Sequence, residues 1–248
     1  MIDYNILETI ENHRSVRYFK PEPLPTEDVD TMMRLAQRAS SGGMAQVYSV
    51  IRITDPALRE RISRRIGQPV VRRAAEYFIF CMDIHRMRRL LAHRGAKLGM
   101  GPLIALIYGI IDCCLSSSSM ALAAEAMGYG ICYVGAVQRA LEDLVVELEL
   151  PEGVLPLLSL CVGVPDEDAP LRPRLPTDIV FHENVYREPT EADLERCYEA
   201  MASATFFGGW FEYLDNFFTA GKEFAGRDGL WTTALARQGL SLDEEAKP

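Results

Sequence analysis

The chain predicts an α/β or α+β domain, a central sheet sandwiched between helices, on three observations. Short, almost continuously apolar runs at 75–84, 131–137 and 154–164 suit strands covered on both faces. Between them apolar residues recur at helical spacing, as in Val29, Met32, Met33, Ala36 and Ala39. The composition, 48% hydrophobic and 25% charged over 248 residues, is that of a globular protein long enough to bury a large core.

The elements follow in order. Residues 5–12 form a short amphipathic helix with Ile6, Leu7 and Ile10 on one side, delivering the chain to the polar run His13-Arg14-Ser15-Val16-Arg17. Tyr18 and Phe19 are expected to anchor that run to the core. Pro21, Pro23 and Pro25 enforce an extended link, after which Thr26 can cap a helix opened by Glu27, Asp28 and Asp30. That helix stops at Ser40-Ser41-Gly42-Gly43. A strand over 47–54 and a basic helix from Asp55-Pro56 to Gly67 come next. The cations of the run Arg86, Arg88, Arg89, His93 and Arg94 read as a solvated face.

The longest helix spans 101–127 and is apolar enough for the centre of the fold. Its apolar run from Pro102 ends at Asp112, short of the ~18 uninterrupted residues that cross a bilayer, so a buried core helix is expected. A strand at 131–137 carries Gly135, an amphipathic helix occupies 139–150, and the last strand ends before Pro165. Thr190-Glu191-Ala192-Asp193 reads as a capping box. Beyond it Phe206, Phe207, Trp210, Phe211, Tyr213, Leu214, Phe217 and Phe218 crowd one stretch. So dense a cluster covers something: core, a dimer interface, or a lid over a planar ligand.

Several functions are disfavoured. A net charge of −9 argues against nonspecific nucleic-acid binding. The six cysteines show no C-x-x-C spacing and read as buried thiols in a reducing compartment, without a metal site. The N-terminus, Met1-Ile2-Asp3-Tyr4-Asn5, lacks the pattern of a secretion signal, so a cytoplasmic protein without a membrane partner is expected. No G-x-G-x-x-G or G-x-x-x-x-G-K phosphate motif occurs. The chemistry-bearing residues are instead two basic pairs, Arg14/Arg17 and Arg172/Arg174. Arg14 and Arg17, three positions apart at a helical end, would project to one side and offer donor forks to a phosphate or a delocalised anion.

His13-Arg14-Ser15-x-Arg17, with Pro21-x-Pro23 after it, resembles the opening of the FMN-dependent nitroreductase / flavin reductase family. Ser40-Ser41-Gly42-Gly43-Met44-Ala45-Gln46, Ile51 to Asp55, Gly67-Gln68, Tyr133-Val134-Gly135-Ala136, Arg172-Pro173-Arg174-Leu175-Pro176 and His182-Glu183-Asn184-x-Tyr186 follow in the family's order. The similarity is greatest to the oxygen-insensitive NADPH nitroreductases and covers about residues 10–186. It implies an α+β three-layer fold with a mainly antiparallel sheet, a long buried central helix and an obligate homodimer. It also implies an FMN-binding core over 1–188 and a C-terminal helical extension over 189–248.

The resemblance further implies that Arg14, Ser15, Arg172 and Arg174 take the FMN phosphate with His13 beside them. Arg17 and Gln68 would address the polar edge of the ring, and Gly135, flanked by Tyr133, Val134 and Ala136, would bring its amide close to N5. Ser40, Ser41, Gly42, Met44 and Gln46 would come from the partner subunit. No side chain is demanded as a catalytic acid, base or nucleophile. The implied activity is two-electron, ping-pong reduction of a small planar acceptor (a nitroaromatic, quinone or free flavin) by NAD(P)H. An FMN carrier with little turnover, and a dimeric interaction protein using the aromatic stretch, are the alternatives. Where relatives carry an arginine-rich loop for NADPH, residues 203–210 carry no arginine, leaving NADH and NADPH both open. Ile104 stands where the family has an acidic residue in the long helix, and Arg172 stands in place of a lysine.

Overall fold

The computed structural model describes residues 6–204 and 208–242, so the predicted N-terminal features before Ile6, and Phe206 and Phe207, lie outside the described residues. Two compact units divide the chain: residues 1–169 with 229–248, and residues 170–228. The sequence-based boundary after residue 188 falls inside the second.

The first unit holds β1 (Tyr48–Arg52), β2 (Glu76–Asp83), β3 (Gly130–Val134) and β4 (Val154–Gly163) in one antiparallel sheet of order β1-β2-β4-β3. One register row reads Ile51, Ile79, Ser159, Val134, so these four side chains share a face. Every residue of β2 is buried, as its apolar run from Tyr77 to Met82 requires of a central strand. β1 and β3 are the edges.

Helices cover both faces, giving the three layers expected. Phe78, Phe80, Met82, Leu160 and Val162 pack on α2 (Thr26–Ala36) and α6 (Pro102–Ala126). On the other side Tyr77, Ile79 and Cys161 pack on α3 (Pro56–Ile66), α4 (Val70–Arg73) and α7 (Leu141–Glu147). Asp55 caps α3 by accepting from the Ala57 amide, and Gly67 closes it at φ 68°. Thr26 does not cap α2: it is the first helical residue, behind Pro25, and no side chain caps that end.

The long helix is buried on one face only. Ala105, Gly109, Cys113, Met120 and Ala124 pack inward, and a Cβ on Gly109 would collide with Met82, so glycine lets helix and sheet approach. Leu103, Ile104, Ile107, Ile110, Ile111 and Leu115 form an outer apolar face, each at least 40% exposed. By length and hydropathy alone α6 matches a membrane span. Its inner face, however, carries the buried Asp112, Ser116 and Ser117 and packs on protein.

The second unit holds α8 (Thr177–Val180), α9 (Glu191–Ala200) and α10 (Trp210–Phe218). The capping box forms as predicted, the Thr190 hydroxyl oxygen accepting from the Asp193 amide and Asp193 accepting from the Thr190 amide. Arg187 and Arg196 reach Asp193 at 2.7 and 3.1 Å, and the hydrogen bonds from the Thr190 amide and from Arg187 hold its carboxyl well below the usual range. No residue of α10 is buried, and Phe211 and Phe218 are more than half exposed, so within the chain that stretch is not core.

Candidate functional site

The run from His13 to Arg17 is not helical. α1 (Ile6–Glu11) has ended, and Ser15 forms a bridge to Ile131 on the outer side of the β3 edge, with the Val16 amide donating to the Ile131 carbonyl at 2.8 Å. Extended chain alternates its side chains, so Arg14 and Arg17 do not share a side as a helical end would dictate. Val16 and Phe19 are the anchors; Tyr18 is 53% exposed, with the Arg73 guanidinium 4.6 Å over its ring.

His13, Arg14 and Arg17 each have a polar neighbour, that of Arg17 being the Ser15 carbonyl at 3.5 Å. His13 pairs with Glu125 at 2.8 Å, and burial raises the Glu125 pKa while His13 opposes the shift. Arg14 reaches Asp168 and the Ala169 carbonyl, both at 3.3 Å. It lines a 440 Å³ cleft with Glu8, Glu125, Glu167 and Asp168, an acidic surround for a residue expected to hold a phosphate. Glu167 accepts from the Arg17 and Tyr18 amides. Burial pushes the Cys132 thiol up and the charge of Arg17 counters it. Tyr133 opens onto a second cleft, of 370 Å³, that His13 and Ser118 also line.

At the other end of β3 the predicted strand stops early. Gly135 begins a 3-10 turn, Gly135–Arg139, instead of lying within a strand. The Val134 carbonyl accepts from Ser159 on β4 at 3.0 Å. The peptide is trans, so the N–H of Gly135 points the opposite way, out of the open sheet edge. A Cβ built on Gly135 meets nothing within 4 Å, and its φ is not in the left-handed region. The chain itself therefore makes no demand for glycine there. Gln68 is half-buried in the turn between α3 and α4, whose Ile62, Ile66, Val70 and Val71 pack in the same core cluster as Val134 and Val137.

Ser40 to Gln46 lies elsewhere. This loop precedes β1, on the far edge of the sheet, three strand spacings or about 14 Å from β3. The loop is tightly specified: Gly43, Met44 and Gln46 have φ of 56°, 58° and 50°, and a Cβ on Gly42 would sit 2.6 Å from the Tyr108 ring. The buried Asp112 carboxylate accepts from the Gly42 amide at 3.2 Å and the Val47 amide at 2.7 Å. Arg86 donates to the Gln46 and Tyr48 carbonyls and to Asp83, so it braces the loop and is not part of a solvated face. Asp112 had a sequence signal that went unused: a lone carboxylate in an apolar helix needs donors. Arg86 had none that separated it from its basic neighbours.

Arg172 and Arg174 lie in the second unit, both exposed, with Arg174 donating to the Arg172 and Pro173 carbonyls at 3.1 Å. All six cysteines are free thiols, and Cys114 alone of them is exposed. The described residues contain no cluster of metal-ligating side chains.

Residues 10–164 match the family described as the nitroreductase family. The FMN reductase (NADPH) of Bacillus subtilis is 37% identical over 190 residues, 75% of this chain and 76% of that protein. The oxygen-insensitive NADPH nitroreductase of Salmonella typhimurium is 36% identical over 197 residues, covering 79% and 80%. Among solved structures, the NADPH:FMN oxidoreductase from Vibrio harveyi complexed with NAD+ superposes with a TM-score of 0.87 at 30% identity, over 96% of this chain and 100% of that one.

Proposed function

Because the chain belongs to the nitroreductase family, we propose that it is an FMN-dependent oxidoreductase that takes electrons from NAD(P)H and reduces nitroaromatics, quinones or free flavin two electrons at a time. The observation that carries this reading is the open end of β3. There an outward peptide N–H on an uncrowded glycine stands on the same edge strand to which the segment carrying Arg17 is bridged, donors that suit the electron-rich edge and N5 of a flavin. Bound FMN would supply the redox chemistry, two-electron transfer from nicotinamide to acceptor.

The chain's part is to bind and orient. Gly135 presents its amide toward N5, flanked by Tyr133, Val134 and Ala136. Arg17 and Gln68 face the polar edge of the ring, where a cation stabilises the charge gained on reduction. In the first unit Arg14 and Ser15, with His13 alongside, are the candidate phosphate donors; Arg172 and Arg174 are the candidates in the second. In this role Arg14 exchanges its contact with Asp168, which is almost fully exposed, for the dianion.

The loop of Ser40, Ser41, Gly42, Met44 and Gln46 reaches the flavin of a second copy. The separation of about 14 Å between the two sheet edges favours a partner's loop over the chain's own. The outer face of α6 suits the contact between copies, being apolar from Leu103 to Leu115. In this reading the protein works as a cytoplasmic homodimer. The test is stopped-flow mixing of the yellow, FMN-loaded protein with NADH and with NADPH. Rapid bleaching by either, then recolouring by a quinone with parallel double-reciprocal plots, is expected. A protein that does not bind FMN, or bound FMN that neither donor bleaches, overturns the reading.

A further inference from the structure

Two buried hydroxyls end on the peptide that carries Gly135. Tyr77 on β2 is fully buried, and its hydroxyl donates to the Ser159 Oγ at 3.0 Å; Ser159, also fully buried, donates to the Val134 carbonyl at 3.0 Å. The chain of donors crosses from β2 over β4 to the edge strand, beneath α3 and α4. A core of this kind is usually apolar, and Ile51, Ile79 and Val134 fill the same register row as Ser159. Burying two hydroxyls there costs desolvation that a valine or phenylalanine would not. Burial also pushes the Tyr77 phenol up, so it remains a donor throughout the working pH range.

The carbonyl oxygen of Val134 and the N–H of Gly135 are the two ends of one peptide unit. A hydrogen bond accepted at the oxygen fixes the plane of that unit and draws electron density from its nitrogen, making the N–H a stronger donor. We infer that Tyr77 and Ser159 are positioning residues whose relay aims and polarises the Gly135 amide toward flavin N5. This rests on the proposal that Gly135 faces N5. Neither hydroxyl touches the flavin; they act through the backbone.

The test compares Ser159→Ala, Tyr77→Phe, Ser159→Thr and Gly135→Pro in the full-length protein. Three measurements are made: the Gly135 amide resonance without FMN, the N5 resonance of bound 15N-labelled FMN, and bleaching by NADPH. Ser159→Ala is expected to move the Gly135 amide proton upfield and N5 downfield. It should slow bleaching at saturating NADPH about three- to tenfold, with FMN affinity and the NADPH KM unchanged. Tyr77→Phe moves each in the same direction by less, and Ser159→Thr, which keeps the Oγ, restores them. Where Ser159→Ala fails to fold with the Tyr77 hydroxyl unpaired, Tyr77→Phe/Ser159→Ala removes both partners and carries the same expectation. Gly135→Pro deletes the N–H, and the extended Val134 before it tolerates a proline. If Gly135→Pro moves N5 and Ser159→Ala moves neither resonance, the relay is refuted while the flavin placement stands. If Gly135→Pro leaves N5 unmoved, Gly135 does not face N5 and both fall.

Discussion

Replacing Asp112 with alanine should loosen the loop before β1 and lower the melting temperature substantially. The carboxylate is 1% exposed and satisfies two backbone amides, Gly42 and Val47, the second itself in a fully buried residue. Truncation leaves both donors unpaired, at about 1–3 kcal/mol each, for about 2–6 kcal/mol in all. For a chain of this size about 3 °C accompanies each kcal/mol, so the melting temperature should fall by roughly 6–18 °C. Asp112→Asn is the discriminating control. Its one carbonyl oxygen can serve one amide, while its NH2 group faces the other donor to donor, so about half the loss should remain. Thermal unfolding followed by circular dichroism gives the magnitude. Amide exchange at Val47 gives the location, and its protection should collapse in the alanine variant before that of β2. An alanine variant that melts within a degree of the parent, with Val47 still protected, would refute this account of the loop.

Placing a charge on the outer face of α6, as in Ile107→Asp, should convert a sedimenting dimer to monomer and release FMN. Cys114 is on this side of α6 and exposed in the single chain, so its labelling by a thiol reagent should be slow in the dimer and fast in the variant. Arg17→Ala should retain FMN but lower its midpoint potential, because the reduced ring loses a counter-charge; spectroelectrochemistry reads the shift, and an unchanged potential would make Arg17 structural only. The Asp193 carboxyl has its pKa depressed by the Thr190 amide and by Arg187. Its contribution is therefore complete above the unfolded carboxylate value of about 3.9 and is lost as pH falls through the lower folded value. Acid titration of α9 helicity should show that loss, and Asp193→Asn should abolish its pH dependence.

Much of the architecture was legible in local patterns. The unbroken apolar run of β2 announced a strand with two covered faces, the periodicity of Val29, Met32 and Ala36 gave α2 its buried stripe, and Thr190 with Asp193 gave the start of α9. Asp55-Pro56 and Gly67 bounded α3, because caps and left-handed closures depend on residues adjacent in sequence. Ordered motifs from His13 onward sufficed to place the chain in its family.

Other features depended on residues brought together from far apart, and these the sequence left undetermined. Composition called α6 a core helix, yet only packing could decide that one side meets the sheet while Ile107 and Ile111 face outward. Spacing made Arg14 and Arg17 neighbours on a helix, whereas a bridge to Ile131, over a hundred residues away, draws the segment out straight. Strand order alone puts the serine loop and Gly135 on opposite edges of the sheet. The same register brings Tyr77, Ser159 and the Val134 carbonyl into one line. Local sequence sets what each segment can be, because propensity and capping act over a few residues; which polar groups meet is settled by long-range pairing, where each buried donor takes the acceptor that the fold delivers to it.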